Sequence, residues 1–312
     1  MVKIKNLFLV ILLSGIFSCS TSKPANKQSD NKPVAKRVIV IGLDGISVDG
    51  YKTASHPNLD ALFGKGMVSF ATRTVMPSVT LPNWTSHLTS GGPEQHGVDS
   101  NGWTIDKNNL PAIETDADGY YPSIFKILKD QVPGVKTAYY YNWGNLINPI
   151  NRRYLDEVNF LEDDAYIENY DKALRFADEH KEDPTFIFLY SVHTDHAGHK
   201  YKWMSPEYIR SIEEADTAIG KLINALKEKN IFEDTHFLLI TDHGGKGHGH
   251  GGVSEVEMNV PWAIVGPRIH NSDGFDAPNN NTNTARVIAE LFQCKELPES
   301  WVGQIPGVIF KD

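Results

Sequence analysis

Arg37-Val-Ile-Val-Ile-Gly-Leu43, followed at once by Asp44-Gly45, is the stretch that decides the fold. A strand with one wet face alternates apolar and polar residues. This run does not alternate, so it reads as a central strand of a parallel sheet covered on both faces. Runs of the same kind recur at 135–140, 185–190, 236–240 and 262–265. Between them lie segments of helical period at 164–180 and 206–229. In the second, Ile209, Ile212, Ala215, Ile219, Leu222 and Leu226 share one face. Strands alternating with helices predict an α/β fold with a mostly parallel central sheet and helices on both faces. Ligands of such sheets bind beyond the carboxyl ends of the strands.

The 312 residues, 40% of them apolar, suffice for one large core spanning 37–312 without covalent help. Only two cysteines, Cys19 and Cys294, are present, which excludes a disulfide scaffold and a Cys-rich zinc module. Cys294 falls on an amphipathic segment and reads as a small buried hydrophobe. A net charge of −9 argues against a basic face for a nucleic-acid duplex. At the N-terminus, Lys3 and Lys5 precede a short apolar run, and residues 1–18 read as a secretory signal. Ile16-Phe-Ser-Cys19 resembles a bacterial lipoprotein processing box, implying a lipidated Cys19. Residues 19–36 are too polar to fold and form a flexible tether. The expected location is the bacterial cell envelope, lipid-anchored to a membrane.

The chemistry collects after the strands. The first ends in Asp44. The run at 185–190 leads into His193-Thr-Asp195-His196-Ala-Gly-His199, and that at 236–240 into Asp242-His243-Gly-Gly-Lys-Gly-His248-Gly-His250. Seven of the twelve histidines lie between 193 and 250, so one sheet edge gathers more imidazole and carboxylate than can be satisfied without a cation. Mixed His and Asp donors without thiolate suit zinc, with manganese or another divalent ion as competitor. Three carboxylates and at least three imidazoles exceed one tetrahedral ion. Two ions roughly 4 Å apart would use them all, an arrangement that catalyses in-line displacement at phosphorus.

A nucleophile is found in Met76-Pro-Ser-Val-Thr80-Leu-Pro82-Asn83, read as a loop opening a helix, with Thr80 as N-cap and Pro82 in the first turn. A hydroxyl there meets the positive end of the helix dipole, and a metal would activate it. Taken singly, Asp44 is a turn cap and Thr80 a helix cap. In order, and all at strand ends, they describe a site.

Asp44, Thr80-Leu-Pro-Asn83, Pro93-Glu-Gln-His96-Gly, Asp195-His-Ala-Gly-His199 and Asp242-His243-Gly together resemble the alkaline phosphatase superfamily, in its type I phosphodiesterase/nucleotide pyrophosphatase branch. The resemblance spans about 37–268 and implies an alkaline phosphatase-like fold. It implies one zinc held by Asp44, Thr80, Asp242 and His243, and another held by Asp195, His199 and a late histidine. Asn83 is implied to help hold a phosphoryl oxygen. In nucleotide-cleaving members the late histidine follows an inserted segment. Here the candidates come within eight residues of Asp242, and His250 is chosen, with His248 as the alternative.

The implied activity is hydrolysis of phosphodiester or pyrophosphate bonds in a small phosphorylated substrate, through a phosphorylated Thr80. A phosphomonoesterase or phosphonate hydrolase is the competing reading, and a non-catalytic zinc-binding surface lipoprotein a more distant one. The sulfatase Cys/Ser-x-Pro-x-Arg motif is missing from the nucleophile loop. No cation neighbours Thr80 in sequence, which favours a singly charged diester; Lys246, beside the second ligand cluster, is the one basic residue placed to reach the site. His193 and His196 read as surroundings of the site and His96 as structural. Trp103 and Trp143 read equally as core or as a wall for a leaving group.

Overall fold

The computed structural model describes Met1 and residues 34–271, 275 and 277–311. The proposed signal after Met1, Cys19 and all of the tether but residues 34–36 lie outside them.

Eight strands form one sheet: β1 (Arg37–Leu43), β2 (Met67–Arg73), β3 (Lys136–Tyr141), β4 (Glu157–Phe160), β5 (Thr185–Ser191), β6 (Thr235–Ile240), β7 (Asn259–Val265) and β8 (Asn279–Asn280). Their order is β4-β3-β5-β1-β6-β7-β2-β8. β1 pairs in parallel with both β5 and β6, and Val40 lies level with Phe188 on one side and Leu238 on the other. Every β1 residue is buried, as its unbroken apolar run requires. Only β7 runs against the rest, antiparallel to both β6 and β2. β7 begins three residues before the expected 262–265, because Pro261 interrupts the apolar run. Pro261 lies where the β2 pairing shifts register between Ser69 and Thr72, so its missing N–H leaves no gap in a regular ladder.

The two faces of the sheet carry separate cores. Val38, Val40, Phe186, Phe188, Leu238 and Ile240 pack against the helices Thr80–Thr89, Ile124–Gln131 and Asn283–Leu291. Ile39, Ile41, Leu43, Ile187 and Leu189 pack against Pro57–Phe63, Ile167–Glu179 and Pro206–Glu228. The helix Pro206–Glu228 starts on Ser205, whose Oγ accepts from Tyr208 N at 3.2 Å, with Pro206 in the first turn. Cys294 is buried, and burial pushes its thiol up to about 11. The register that pairs Gly42 with Tyr190 and with Ile240 brings the three chain segments leaving β1, β5 and β6 to one level. Asp44, Asp195 and Asp242 follow those strand ends.

Candidate metal centre

Asp44 continues the ladder one residue beyond β1, its N donating to Ser191 O at 3.0 Å. Gly45 then turns with φ +70°, and a Cβ there would lie 2.9 Å from Asp195 Oδ1. A glycine is therefore required for the backbone to pass so close to Asp195. Gly45 N donates to Asp242 Oδ1 at 3.0 Å, so this one turn touches the other two carboxylates.

All three carboxylates are buried, and each keeps one oxygen without a hydrogen-bond partner: Asp44 Oδ1, Asp195 Oδ1 and Asp242 Oδ2. Burial first, then the charge of Asp195, pushes Asp44 up to about 8. Burial pushes Asp195 up to about 7, and burial with the charge of Asp44 holds Asp242 well above the carboxylate range. Three unpartnered oxygens in one dry corner fit the demands of a cation.

Three imidazoles surround these carboxylates. Nδ1 of His243 meets Gly244 O at 2.9 Å, Nδ1 of His199 meets His248 O at 2.8 Å, and Nδ1 of His250 meets Ser78 O at 3.0 Å. A carbonyl only accepts, so each Nδ1 carries the proton and each Nε2 presents a lone pair. Those lone pairs face the carboxylates. His243 Nε2 lies 3.1 Å from Asp242 Oδ2 and 3.6 Å from Asp44 Oδ1; His199 Nε2 lies 3.4 Å from Asp195 Oδ2, and His250 Nε2 3.8 Å from Asp195 Oδ1. Burial, then the neighbouring imidazoles, holds His243 well below its ordinary value. Burial likewise lowers His250.

Two groups of ligand atoms result, Asp195 with His199 and His250, and Asp44 with Asp195 and His243, each gathered within 4.8 Å. The donor set, oxygen and imidazole nitrogen with every Nδ1 anchored, fits a zinc-class ion. His250, rather than His248, joins Asp195 and His199. His248 is exposed and turns its Nδ1 to His199 O at 2.9 Å.

Thr80 is the first residue of its helix, and the N-cap is Val79 with extended backbone. The expected cap thus sits one residue early, and the hydroxyl does no capping. Thr80 Oγ1 lies 3.3 Å from His243 Nε2 instead. Part of the capping falls to Asn101, whose Oδ1 accepts from Leu81 N at 2.8 Å.

The structure assigns Asn83 a different task from the one the resemblance implied. It is fully buried, its Oδ1 accepting from Val75 N at 2.8 Å and from Asn281 Nδ2 at 3.0 Å. Its Nδ2 donates to Pro77 O at 3.0 Å and Val79 O at 2.9 Å. Both ends of the amide are spent holding the loop 75–79 in place. Asn101, beside Thr80, is the amide that sequence reasoning passed over. It lies only four residues past His96-Gly97, and no periodicity in its loop marks it.

Three further histidines are held by contacts of their own. His96 accepts from Val98 N at Nδ1 (3.0 Å) and meets Ser86 Oγ at Nε2 (3.1 Å). His193 stacks on Tyr166 with ring centroids 3.9 Å apart, and His196 pairs with Asp164 at 2.7 Å. Trp103 and Trp143 pack with Leu81 and Val98 against the first turn of the Thr80 helix. Lys246 is exposed on a groove with Asp49, Met204 and Glu255. Among the described residues no lysine or arginine ion-pairs with Asp44, Asp195 or Asp242.

A family model described as Type I phosphodiesterase / nucleotide pyrophosphatase matches residues 38–252. An uncharacterized pyrophosphatase/phosphodiesterase of Schizosaccharomyces pombe is 31% identical over 217 residues, covering 66% of this chain and 44% of that protein. Ectonucleotide pyrophosphatase/phosphodiesterase family member 3 of Mus musculus is 27% identical over 215 residues, covering 66% of this chain and 24% of that protein. The chain therefore spans less than half the length of these curated relatives. Among solved structures, murine ectonucleotide pyrophosphatase/phosphodiesterase 5, an inactive variant in complex with AMP, superposes with a TM-score of 0.71. At 14% identity it covers 84% of this chain and 96% of its own, which establishes the shared fold.

Proposed function

Because the chain belongs to the type I phosphodiesterase/nucleotide pyrophosphatase family, we propose that it hydrolyses phosphodiester or pyrophosphate bonds of small substrates at a two-zinc centre, with Thr80 as nucleophile. The observation that carries this reading is the set of three buried, unpartnered carboxylate oxygens facing three imidazole lone pairs beside the Thr80 hydroxyl. Asp44, Thr80, Asp242 and His243 would hold one ion, and Asp195, His199 and His250 the other. Bound there, the ions would supply positive charge to the attacking and leaving oxygens of an in-line displacement.

The chain's own residues do the rest. Thr80 Oγ1 gives up its proton to solvent and forms the new bond to phosphorus as the bond to the leaving oxygen breaks; that oxygen takes a proton from solvent, and water later hydrolyses the phosphothreonine to restore the hydroxyl. The Asn101 amide, anchored through its Oδ1 on Leu81 N, leaves its Nδ2 to donate to a nonbridging oxygen. That is the part first given to Asn83. A neutral donor suits the single charge of a diester better than the two of a monoester. The AMP of the murine relative supports a nucleotide-sized substrate. In the same proposal, residues 1–18 export the chain, and a lipidated Cys19 anchors the domain beginning at residue 37 to a membrane of the cell envelope.

The test is a comparison of bis-p-nitrophenyl phosphate, p-nitrophenyl phosphate and p-nitrophenyl sulfate on zinc-loaded protein. The diester should lead the monoester in kcat/KM by about tenfold or more, some 1.4 kcal/mol of transition-state binding, with no sulfate turnover. A monoester preferred by the same margin would move the chain to the monoesterase reading.

A further inference from the structure

Asp44 holds its two carboxylate oxygens in opposite circumstances. Oδ1 has no partner and lies 3.6 Å from His243 Nε2. Oδ2 accepts two hydrogen bonds, from Trp84 Nε1 at 3.0 Å and from Tyr190 OH at 2.5 Å. We infer that Trp84 and Tyr190 are positioning residues of the metal centre: by filling Oδ2 together, they make Asp44 a one-oxygen ligand and fix which oxygen it offers. The inference rests on the metal-centre reading above.

The arrangement is built rather than incidental. The Trp84 and Tyr190 rings meet edge to face, centroids 5.1 Å apart and planes at 89°, so each orients the donor of the other. Both are fully buried. Gly42, inside the central strand, provides the room, since a Cβ there would lie 2.7 Å from Trp84 Cη2. Glycine weakens a strand interior, so a close approach such as this one accounts for it. The backbone of Asp44 is held as well, its O accepting from Thr194 Oγ1 at 2.5 Å.

The clamp has a second effect. Trp84 stands one turn after Thr80 on the same helix, so its bond to Asp44 ties the helix bearing the nucleophile to the strand end bearing the ligand. A carboxylate with both oxygens free can rotate or chelate one ion through two bonds. With Oδ2 occupied, neither is available, and the distance between ligand and hydroxyl is set before any ion arrives.

Tyr190→Phe removes a single oxygen from a packed ring and is the decisive variant. Zinc affinity is read by competition with a chromophoric chelator, alongside Tm. In Tyr190→Phe one of the two ions should weaken about tenfold to a hundredfold while the other keeps wild-type affinity. Trp84→Phe should weaken the same ion, and the double variant should fall short of the product of the two losses, because both donors serve one oxygen. Tyr139→Phe is the control: its hydroxyl bonds Leu146 O in the same core without touching Asp44, and zinc binding should not change. Wild-type affinity for both ions in Tyr190→Phe would overturn the inference and leave the metal centre standing. Equal weakening of both ions, with a matching fall in Tm, would overturn it too, in favour of packing alone. Wild-type protein that binds no zinc would overturn the metal-centre reading itself.

Discussion

The imidazole of His243 lies flat against that of His250, ring centroids 3.6 Å apart and planes inclined by 13°. One ring comes from the ligand group of Asp44 and the other from that of His199, so the two groups share a wall. A proton on either ring would face the other across van der Waals contact. Both rings are therefore held neutral, the state in which Nε2 is a metal ligand.

Metal content follows from that shared wall. Protein prepared without chelator should carry near two zinc equivalents by elemental analysis. Asp242→Asn should lose metal and His196→Ala should not, since His196 is engaged with Asp164 at the rim. His250→Ala should lower the stoichiometry to one, whereas His248→Ala should leave it at two. A wild-type stoichiometry fixed at one under excess zinc would remove the second ligand set.

Thr80→Ala should reduce turnover on the order of a thousandfold or more while zinc content and Tm stay near wild type. The hydroxyl carries no capping bond, so its loss leaves the helix start intact. Thr80→Ser should retain part of the activity. Turnover that survives Thr80→Ala would mean that water attacks phosphorus directly.

The two asparagines should separate cleanly. Asn101→Ala should lower kcat by about a hundredfold, the usual worth of one oxyanion donor, with a small change in Tm. Asn83→Ala should lower stability instead, by some 1–3 kcal/mol, because it strands the buried groups that the amide now satisfies. Urea unfolding beside steady-state kinetics distinguishes them, and the opposite pattern would restore Asn83 to the substrate.

Stability should depend on pH near neutrality without metal and lose that dependence with it. In the chelator-treated protein, Asp44 at about 8 and Asp195 at about 7 lie above their unfolded value of 3.8. The folded state then binds more protons than the unfolded, and stability falls as pH rises toward 8. His87 and His96 at about 3, and His193 and His236 at about 4, work the other way, costing stability as pH falls below 6.5. Above about pH 7.5 the histidine contribution is spent and the carboxyl contribution dominates, so Tm of the stripped protein should fall across the window from there to pH 8. Zinc-loaded protein should show no such fall, because the cation keeps the carboxylates ionised. A stripped Tm that is flat across the window would show that the three carboxylates are not the buried cluster described.

Much of the site was legible because it hangs from buried strands. The apolar runs at β1, β5 and β6 fix where the chain emerges, and Asp44, Asp195 and Asp242 follow directly. Asn101 was not legible. It sits in a loop without periodicity, and only the tertiary contact with Leu81 N reveals it. Asn83 misled because its neighbours in sequence, Thr80 above all, are at the site while its own side chain turns back to carbonyls 77 and 79. The reversed direction of β7 was equally hidden, since an apolar run carries no sign of its polarity.

Every proposed ligand and the proposed nucleophile lie within residues 44–250, because His250 reaches Asp195 from a loop that also rests on Ser78 O. Strands β7 and β8 and the helix Asn283–Leu291 come afterwards and supply a sheet flank and one side of the core. They touch the centre through supports such as Asn281, which donates to Asp242 O at 3.1 Å. The proposed chemistry and this part of the scaffold are thus separated along the chain. Residues 251–312 furnish none of the proposed ligands, so substitutions there that keep the packing can be engineered without renegotiating the chemistry.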